Sequence, residues 1–147
     1  MLTLSREPIQ ILLVEDSPSD AELTIDALHS ARVLNTVLRV SDGVEALRFL
    51  RREGEYTAAA LPDLILLDLN LPRMSGYELL EIIKHDEALR AIPVIILTTS
   101  YAERDVMRSY QLQANCYVSK PVDLQAFLDV VQQTGEFWLQ IVKLPQP

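Results

Sequence analysis

The chain has 147 residues, 49% of them hydrophobic, which suits one domain with a substantial core. Its net charge of −8, without a basic stripe, argues against direct binding to nucleic acid or to an anionic membrane surface. The one cysteine, Cys116, excludes an internal disulfide and a cysteine metal cluster. The sequence has neither a signal-peptide pattern nor the roughly 20 consecutive apolar residues of a transmembrane helix, so we expect a cytoplasmic domain.

Five short apolar runs alternate with amphipathic stretches along the chain. A run of this kind that is bounded by turn residues predicts a buried strand. The five predicted strands cover residues 9–14, 37–40, 64–67, 94–97 and 116–118. The one long connection, residues 53–62, is interpreted as a surface loop or a helix extension.

A helical pattern follows each run. The five helices are predicted to open at Ser17-Pro18, Asp42-Gly43, Met74-Ser75-Gly76, Ala102 and Pro121-Val122-Asp123. Apolar residues at helical spacing predict the inward faces of the first three helices: Ala21, Ile25, Leu28, Val44, Leu47, Leu50, Leu79, Leu80 and Ile83.

This βα alternation predicts an α/β fold, a doubly wound five-stranded parallel sheet with helices on both faces. The strand order 2-1-3-4-5 would place the first and third strands side by side at the switch point. We expect one domain over residues 1–147, with its core at about residues 8–134 and an apolar extension at 135–147.

Acidic residues end two of the buried runs. Glu15 and Asp16 follow the first run, and Asp68 closes the third. Open α/β sheets bind their ligands at the carboxyl ends of the strands, so these three carboxylates would meet in one crevice. Carboxylates so close together repel each other unless a cation or a proton offsets their charge. The pattern therefore predicts a divalent-metal site with a carboxylate free to act as a nucleophile.

Two further polar residues are predicted at the same edge of the sheet. Thr98 ends the fourth run and Lys120 follows the fifth. A lysine there could hold a phosphoryl oxygen as a compact point charge, and a threonine could donate one hydrogen bond to the same group. Simpler interpretations also exist for these residues. Thr98 could be only a β-branched strand residue and Lys120 a solvated lysine before a proline, while Asp68 could cap a turn and Glu15 could complement a helix N-terminus.

At this point the sequence resembles the receiver domains of two-component response regulators. The motifs that carry the resemblance are residues 11–16, 63–76, 93–100 and 117–121, in this order and spacing, and the likeness spans about residues 9–131. The resemblance implies the flavodoxin-like receiver fold. It also implies a signalling module that is not an enzyme.

By this resemblance, Asp68 corresponds to the phosphoacceptor. Glu15 and Asp16 correspond to the acids that bind Mg²⁺, with Asp68 and the backbone carbonyl of Asn70 as further ligands. The Glu-Asp order of the acidic pair is a common variant in the family.

Three positions correspond to the switch and to the phosphate contact. Thr98 corresponds to the switch hydroxyl, Lys120 to the phosphate-contacting lysine, and Tyr117 to a rotating aromatic switch. Tyr117 could equally be part of the core at the sheet edge. Thr99 stands where the family usually has a small residue, which could narrow access to Asp68.

Residues 54–56, 67–72, 97–100, 115–117 and 137–139 carry a finer resemblance, to the small response regulators that partner bacterial phytochromes. It implies a light-regulated sensor histidine kinase as phosphodonor and a homodimer through the helix 4, strand 5 and helix 5 face together with the C-terminal segment. The apolar residues at 137–144 either cover the core of the domain or form a dimer or kinase-docking patch.

Three other functions would share parts of this pattern. A pseudo-receiver would bind partners without phosphorylation, although Asp68, Glu15, Asp16 and Lys120 are all intact. A Mg²⁺-dependent phosphatase would typically carry a second acid two residues after the nucleophile, where this chain has Asn70. A flavin-binding module would need a Gly-rich loop after the first strand, and the sequence has none.

Overall fold

The computed structural model describes residues 9–30, 35–98, 116–120 and 125. In chain order these residues form β1 (Ile9–Val14), α1 (Pro18–His29), β2 (Asn35–Val40), α2 (Gly43–Leu50), a 3-10 helix (Gly54–Tyr56), β3 (Leu64–Asp68), α3 (Gly76–Lys84), β4 (Val94–Thr98) and β5 (Cys116–Ser119). The helices predicted at 102–112 and from Pro121, and the apolar extension at 135–147, lie outside the described residues.

The five strands form one parallel sheet in the order β2-β1-β3-β4-β5, which confirms the predicted topology. β3 and β4 end at Asp68 and Thr98, the residues predicted to close their runs, while β2 begins at Asn35 and β5 ends at Ser119, slightly beyond the predicted bounds. The reason is that backbone pairing continues through polar residues, as Asp68 pairs with Leu97 and Thr98 with Ser119. Side-chain polarity therefore understated the strand lengths.

The sheet has an apolar core on each face, as expected for a doubly wound fold. Alternate strand residues such as Leu12, Ile65 and Ile96 pack with α2 and α3 on one face. Their neighbours pack with α1 on the other face. None of the helices in the described part of the chain is both long and apolar enough to cross a bilayer.

The predicted inward faces of the three helices are largely confirmed. Ala21, Leu28, Leu47, Leu50, Leu79, Leu80 and Ile83 are buried, while Ile25 and Val44 are only half-buried. The pattern missed Thr24, Ala46 and Phe49, which are also buried. A polar Thr and a small Ala give a weak apolar signal, so the helix faces are wider than the sequence indicated.

Each of the three helices that the structure describes begins where the sequence predicted. The Ser17 hydroxyl accepts a hydrogen bond from the Asp20 N–H, and Pro18 opens α1. Ser75 and Glu78 form a reciprocal capping box at the start of α3. Each cap follows the carboxyl end of a strand, either directly or after a loop. The caps therefore fix where the chain turns from strand to helix at the acidic edge of the sheet.

The loops that open α2 and α3 are joined by an ion pair. Asp42 Oδ1 accepts from the Glu45 N–H at 2.8 Å, and Asp42 Oδ2 accepts from Arg73 Nη2 at 2.8 Å. Burial acts to raise the pKa of Asp42, but the Glu45 N–H and the Arg73 guanidinium outweigh it and hold that pKa below its ordinary value. Arg73 has a left-handed backbone, with φ 64°. The pair therefore anchors the loop that follows Asp68.

We expect Asp42→Ala to lower the free energy of unfolding by about 1–2 kcal/mol, because it removes both the helix cap and the ion pair. Asp42→Asn retains a capping oxygen and should cost no more than about 1 kcal/mol. The folded-state pKa is below the unfolded value, so the advantage of wild type over Asp42→Asn is present above about pH 4 and is lost as the pH falls. Urea unfolding at pH 7 and pH 3 measures both effects. Equal losses in the two variants at pH 7 would contradict this assignment.

The long connection between α2 and β3 folds back onto α2. Its 3-10 helix places the Tyr56 ring 5.2 Å from the Phe49 ring, edge to face, and the Arg48 guanidinium lies over Tyr56. The Tyr56 hydroxyl donates to Glu45, which raises the pKa of Tyr56 to about 12. The connection is thus a surface loop, as one of the two predictions had it, with a 3-10 helix that packs on α2.

Candidate functional site

Three carboxylates meet at the carboxyl edge of the sheet. Val14 pairs with Leu67, so Glu15 and Asp16 leave β1 directly beside Asp68 at the end of β3. One oxygen from each of the three acids lies within 4.8 Å of the others. The predicted crevice between the first and third strands is therefore present.

Two of these acids are removed from water. Glu15 is fully buried and Asp68 is only 4% exposed, whereas Asp16 is exposed. Burial, assisted by the charge of Asp68, raises the pKa of Glu15 to about 7, although Lys120 opposes the shift. Burying two carboxylates side by side is unfavourable unless a cation compensates them.

Lys120, directly after β5, supplies one such cation. Its Nζ lies 2.8 Å from Glu15 Oε1, 3.1 Å from Asp68 Oδ2 and 3.2 Å from Asp20 Oδ2. Burial disfavours the ammonium, but the neighbouring Glu15 and Asp68 outweigh burial and raise the pKa of Lys120 above its ordinary value. Lys120 is therefore held as a cation among acids.

The hydrogen bonds of the Glu15 and Asp68 carboxylate oxygens indicate where a metal would bind. Glu15 Oε2 accepts from the Ser17 N–H at 3.2 Å, and Asp68 Oδ1 accepts from the Asn70 N–H at 3.1 Å. Glu15 Oε1, though buried and close to Lys120, has no hydrogen-bond partner among the described residues. A buried carboxylate oxygen that makes no hydrogen bond of normal geometry, beside two further acids, fits a divalent cation, and an all-oxygen donor set suits a hard ion.

The predicted switch residues are only partly described. The Thr98 backbone ends β4 beside β5, and Tyr117 lies within β5, paired with Ile96. The side chains of Thr98 and Tyr117, and the whole of Thr99, lie outside the described part of the chain. Asn70 lies two residues after Asp68, at the mouth of the crevice.

Sequence reasoning did not identify two residues that contact the site. Asp20, in the first turn of α1, accepts a hydrogen bond from Lys120, which lies 100 positions further along the chain. Arg39 in β2 donates from Nε to the Glu15 carbonyl at 3.0 Å. Asp20 lies four residues after Asp16, in the first turn of α1, but no pattern in the sequence indicated its contact with Lys120.

The comparisons with known proteins agree with this geometry. The family profile for the response regulator receiver domain matches residues 11–132. Response regulator Rcp1 from Synechocystis sp. (strain ATCC 27184 / PCC 6803 / Kazusa) is 44% identical over 141 residues, which is 96% of either chain. A solved Mn²⁺-bound form of Rcp1 has a TM-score of 0.74 and 44% identity, over 95% of this chain and 100% of that one.

Two solved structures of phytochrome response regulators are also similar. The bacteriophytochrome response regulator RtBRR has a TM-score of 0.84 and 42% identity, over 95% of this chain and 85% of that one. The phosphorylated cyanobacterial phytochrome response regulator RcpA has a TM-score of 0.76 and 46% identity, over 95% and 100%. Fold, acidic crevice and sequence agree, and the chain belongs to the response regulator receiver domain family.

Proposed function

We propose that this chain accepts a phosphoryl group from a sensor histidine kinase on Asp68, in the presence of Mg²⁺, and thereby changes a partner-binding surface. The observation that carries the proposal is the setting of Asp68. This buried carboxylate lies at the open edge of the sheet, between a protonated lysine at 3.1 Å and two further acids. A carboxylate with that setting suits nucleophilic attack on phosphorus.

The chain has residues that would contact the transferring phosphoryl group from two sides. Glu15, Asp16, Asp68 and the Asn70 carbonyl would hold Mg²⁺, which supplies positive charge to the oxygens of the transferring phosphoryl group. Lys120 is positioned to donate to a phosphoryl oxygen from the other side. The Asn70 N–H, bonded to Asp68 Oδ1, keeps the carboxylate oriented. The contribution of the protein is mainly positioning and electrostatics.

The chemical step exchanges one bond for another. A carboxylate oxygen of Asp68 forms a bond to phosphorus as the phosphorus–nitrogen bond of the kinase phosphohistidine breaks. The imidazole nitrogen retains the electron pair and later takes a proton from water. The resulting acyl phosphate adds about −1.5 to −2 charge at the site.

The added charge would act on the switch residues. Thr98 would move to donate a hydrogen bond to the phosphoryl group, and Tyr117 would turn inward into the space that Thr98 leaves. This motion would change the face made by the fourth helix, β5 and the fifth helix, where we also propose that two copies of the chain associate. The similarity to phytochrome response regulators supports a bacterial phytochrome as the donor kinase.

We expect one phosphoryl adduct per chain after incubation with Mg²⁺ and acetyl phosphate, as measured by intact-protein mass. The adduct should not form when a chelator removes Mg²⁺, and hydroxylamine should remove it, because hydroxylamine cleaves acyl phosphates but not phosphate esters. A phosphorylated bacterial phytochrome kinase should give the same adduct more rapidly. Size-exclusion elution of the same samples reports whether two copies associate.

Each alternative predicts a different result in this experiment. A pseudo-receiver would show no adduct with Mg²⁺ and either donor. A phosphatase would consume small phosphoesters continuously without accumulating an adduct. An adduct resistant to hydroxylamine would contradict an acyl phosphate at any carboxylate.

A further inference from the structure

Lys120 is shared between the reaction site and an acid outside it. An ammonium group has three donors, and Lys120 directs two hydrogen bonds to Asp68 Oδ2 and Asp20 Oδ2 while it lies 2.8 Å from Glu15 Oε1. The partners in all three contacts are carboxylates. A phosphoryl oxygen that arrives at the site therefore competes with them for Lys120.

Asp20 is the acceptor that Lys120 gives up most readily. The side chain of Asp20 is 40% exposed, whereas those of Glu15 and Asp68 are buried, so a released Asp20 carboxylate is solvated by water. Asp20 also lies outside the group of acids whose oxygens come within 4.8 Å of one another. Loss of its contact with Lys120 therefore removes none of the acids that could hold a metal.

The position of Asp20 is set by the start of α1 and not by the metal site. The Asp20 N–H donates to the Ser17 hydroxyl, which caps the helix, and Pro18 fixes the first turn. The backbone of Asp20 is thus held in place while its side chain retains freedom to change partners. This combination suits an exchangeable hydrogen bond.

We propose that Asp20 is a positioning residue that holds Lys120 in the unphosphorylated site and releases it to the phosphoryl group. The proposal rests on the function proposed above. It adds Asp20 as an acceptor that competes with the phosphoryl group for Lys120. In the exchange, Lys120 remains protonated, its hydrogen bond to Asp20 breaks, and a hydrogen bond to a phosphoryl oxygen forms. Asp20 is not among the three acids that could hold the metal.

Asp20→Asn should raise the rate of adduct formation from subsaturating acetyl phosphate by about two- to fivefold, the range expected for a partly exposed ion pair. The matched control is Glu22→Gln, which removes the same charge from an exposed position on the same helix. Its rate should stay near that of the wild type. A Glu22→Gln rate equal to that of Asp20→Asn would overturn the proposal, because net charge alone would then explain both.

A double-mutant cycle tests whether Asp20 acts through Lys120. In metal-free buffer without a phosphodonor, Asp20→Asn should raise the unfolding equilibrium constant by about two- to fivefold in the wild-type background. The same substitution should have no effect in a Lys120→Ala background. Additive effects of the two substitutions would overturn the proposal, whether or not the variants react with acetyl phosphate.

The outcomes separate this proposal from the proposed function. A wild-type chain that forms no adduct with either donor refutes phosphorylation itself. A wild-type chain that forms the adduct, at the same rate as Asp20→Asn, refutes only the role of Asp20. If the double-mutant cycle shows coupling between Asp20 and Lys120, and Asp20→Asn forms the adduct faster than the wild type, both the phosphorylation and the role of Asp20 are supported.

Discussion

Asp68→Asn is expected to abolish the phosphoryl adduct while leaving the fold intact. An amide oxygen is a far weaker nucleophile than a carboxylate, so no acyl phosphate should form at this position. The amide has nearly the same shape, and its oxygen can still accept from the Asn70 N–H or from Lys120. Intact-protein mass after incubation with Mg²⁺ and acetyl phosphate measures the loss.

Asp63→Asn is the matched control for this substitution. Asp63 directly precedes the same strand, at its opposite end, where it is exposed and accepts from the Gln10 N–H at 2.8 Å. It is remote from the acidic edge, so Asp63→Asn should form the adduct at the wild-type rate. An adduct of undiminished yield on Asp68→Asn would place the phosphoacceptor elsewhere.

Gly76→Ala is expected to destabilise the protein by about 1–3 kcal/mol despite the higher helix propensity of alanine. A Cβ atom at this position would meet the Asp68 carbonyl oxygen and would come within 2.6 Å of Leu69 Cα. Both neighbours are backbone atoms at the end of β3, so they have little freedom to move aside. Urea unfolding measures the loss of stability.

The same substitution should slow phosphorylation, because α3 can make room only by displacing the backbone that carries Asp68. Glu81→Ala is the control, since Glu81 lies on the exposed face of the same helix. It should change stability by no more than about 0.5 kcal/mol. A Gly76→Ala variant more stable than wild type would mean that helix propensity outweighs the close approach.

The sequence was most informative where one physical signal dominates. Continuous apolar runs located the five strands, and Ser17, Asp42 and Ser75 located the starts of three helices. The rules of parallel sheets then placed the acids after β1 beside Asp68. Each of these inferences depends on local pattern or on topology.

What the sequence could not predict depends on side-chain direction over long distances. Lys120 has three carboxylates around it, and nothing in the pattern distinguished Asp20 from other exposed acids of α1. The Asp42–Arg73 pair likewise joins two loops that are 31 positions apart. Such contacts follow from how loops pack, which the spacing of residue types does not encode.

The separation of Lys120 from its partners also has a consequence for synthesis on the ribosome. Lys120 lies 52 positions after Asp68, and at ~5–20 residues per second roughly 3–10 s pass between their additions. During that interval the nascent chain carries Glu15, Asp16 and Asp68 without their lysine. Completion of the proposed reaction site therefore coincides with the synthesis of β5 and Lys120, so a polypeptide that ends before Lys120 would lack the cation of that site.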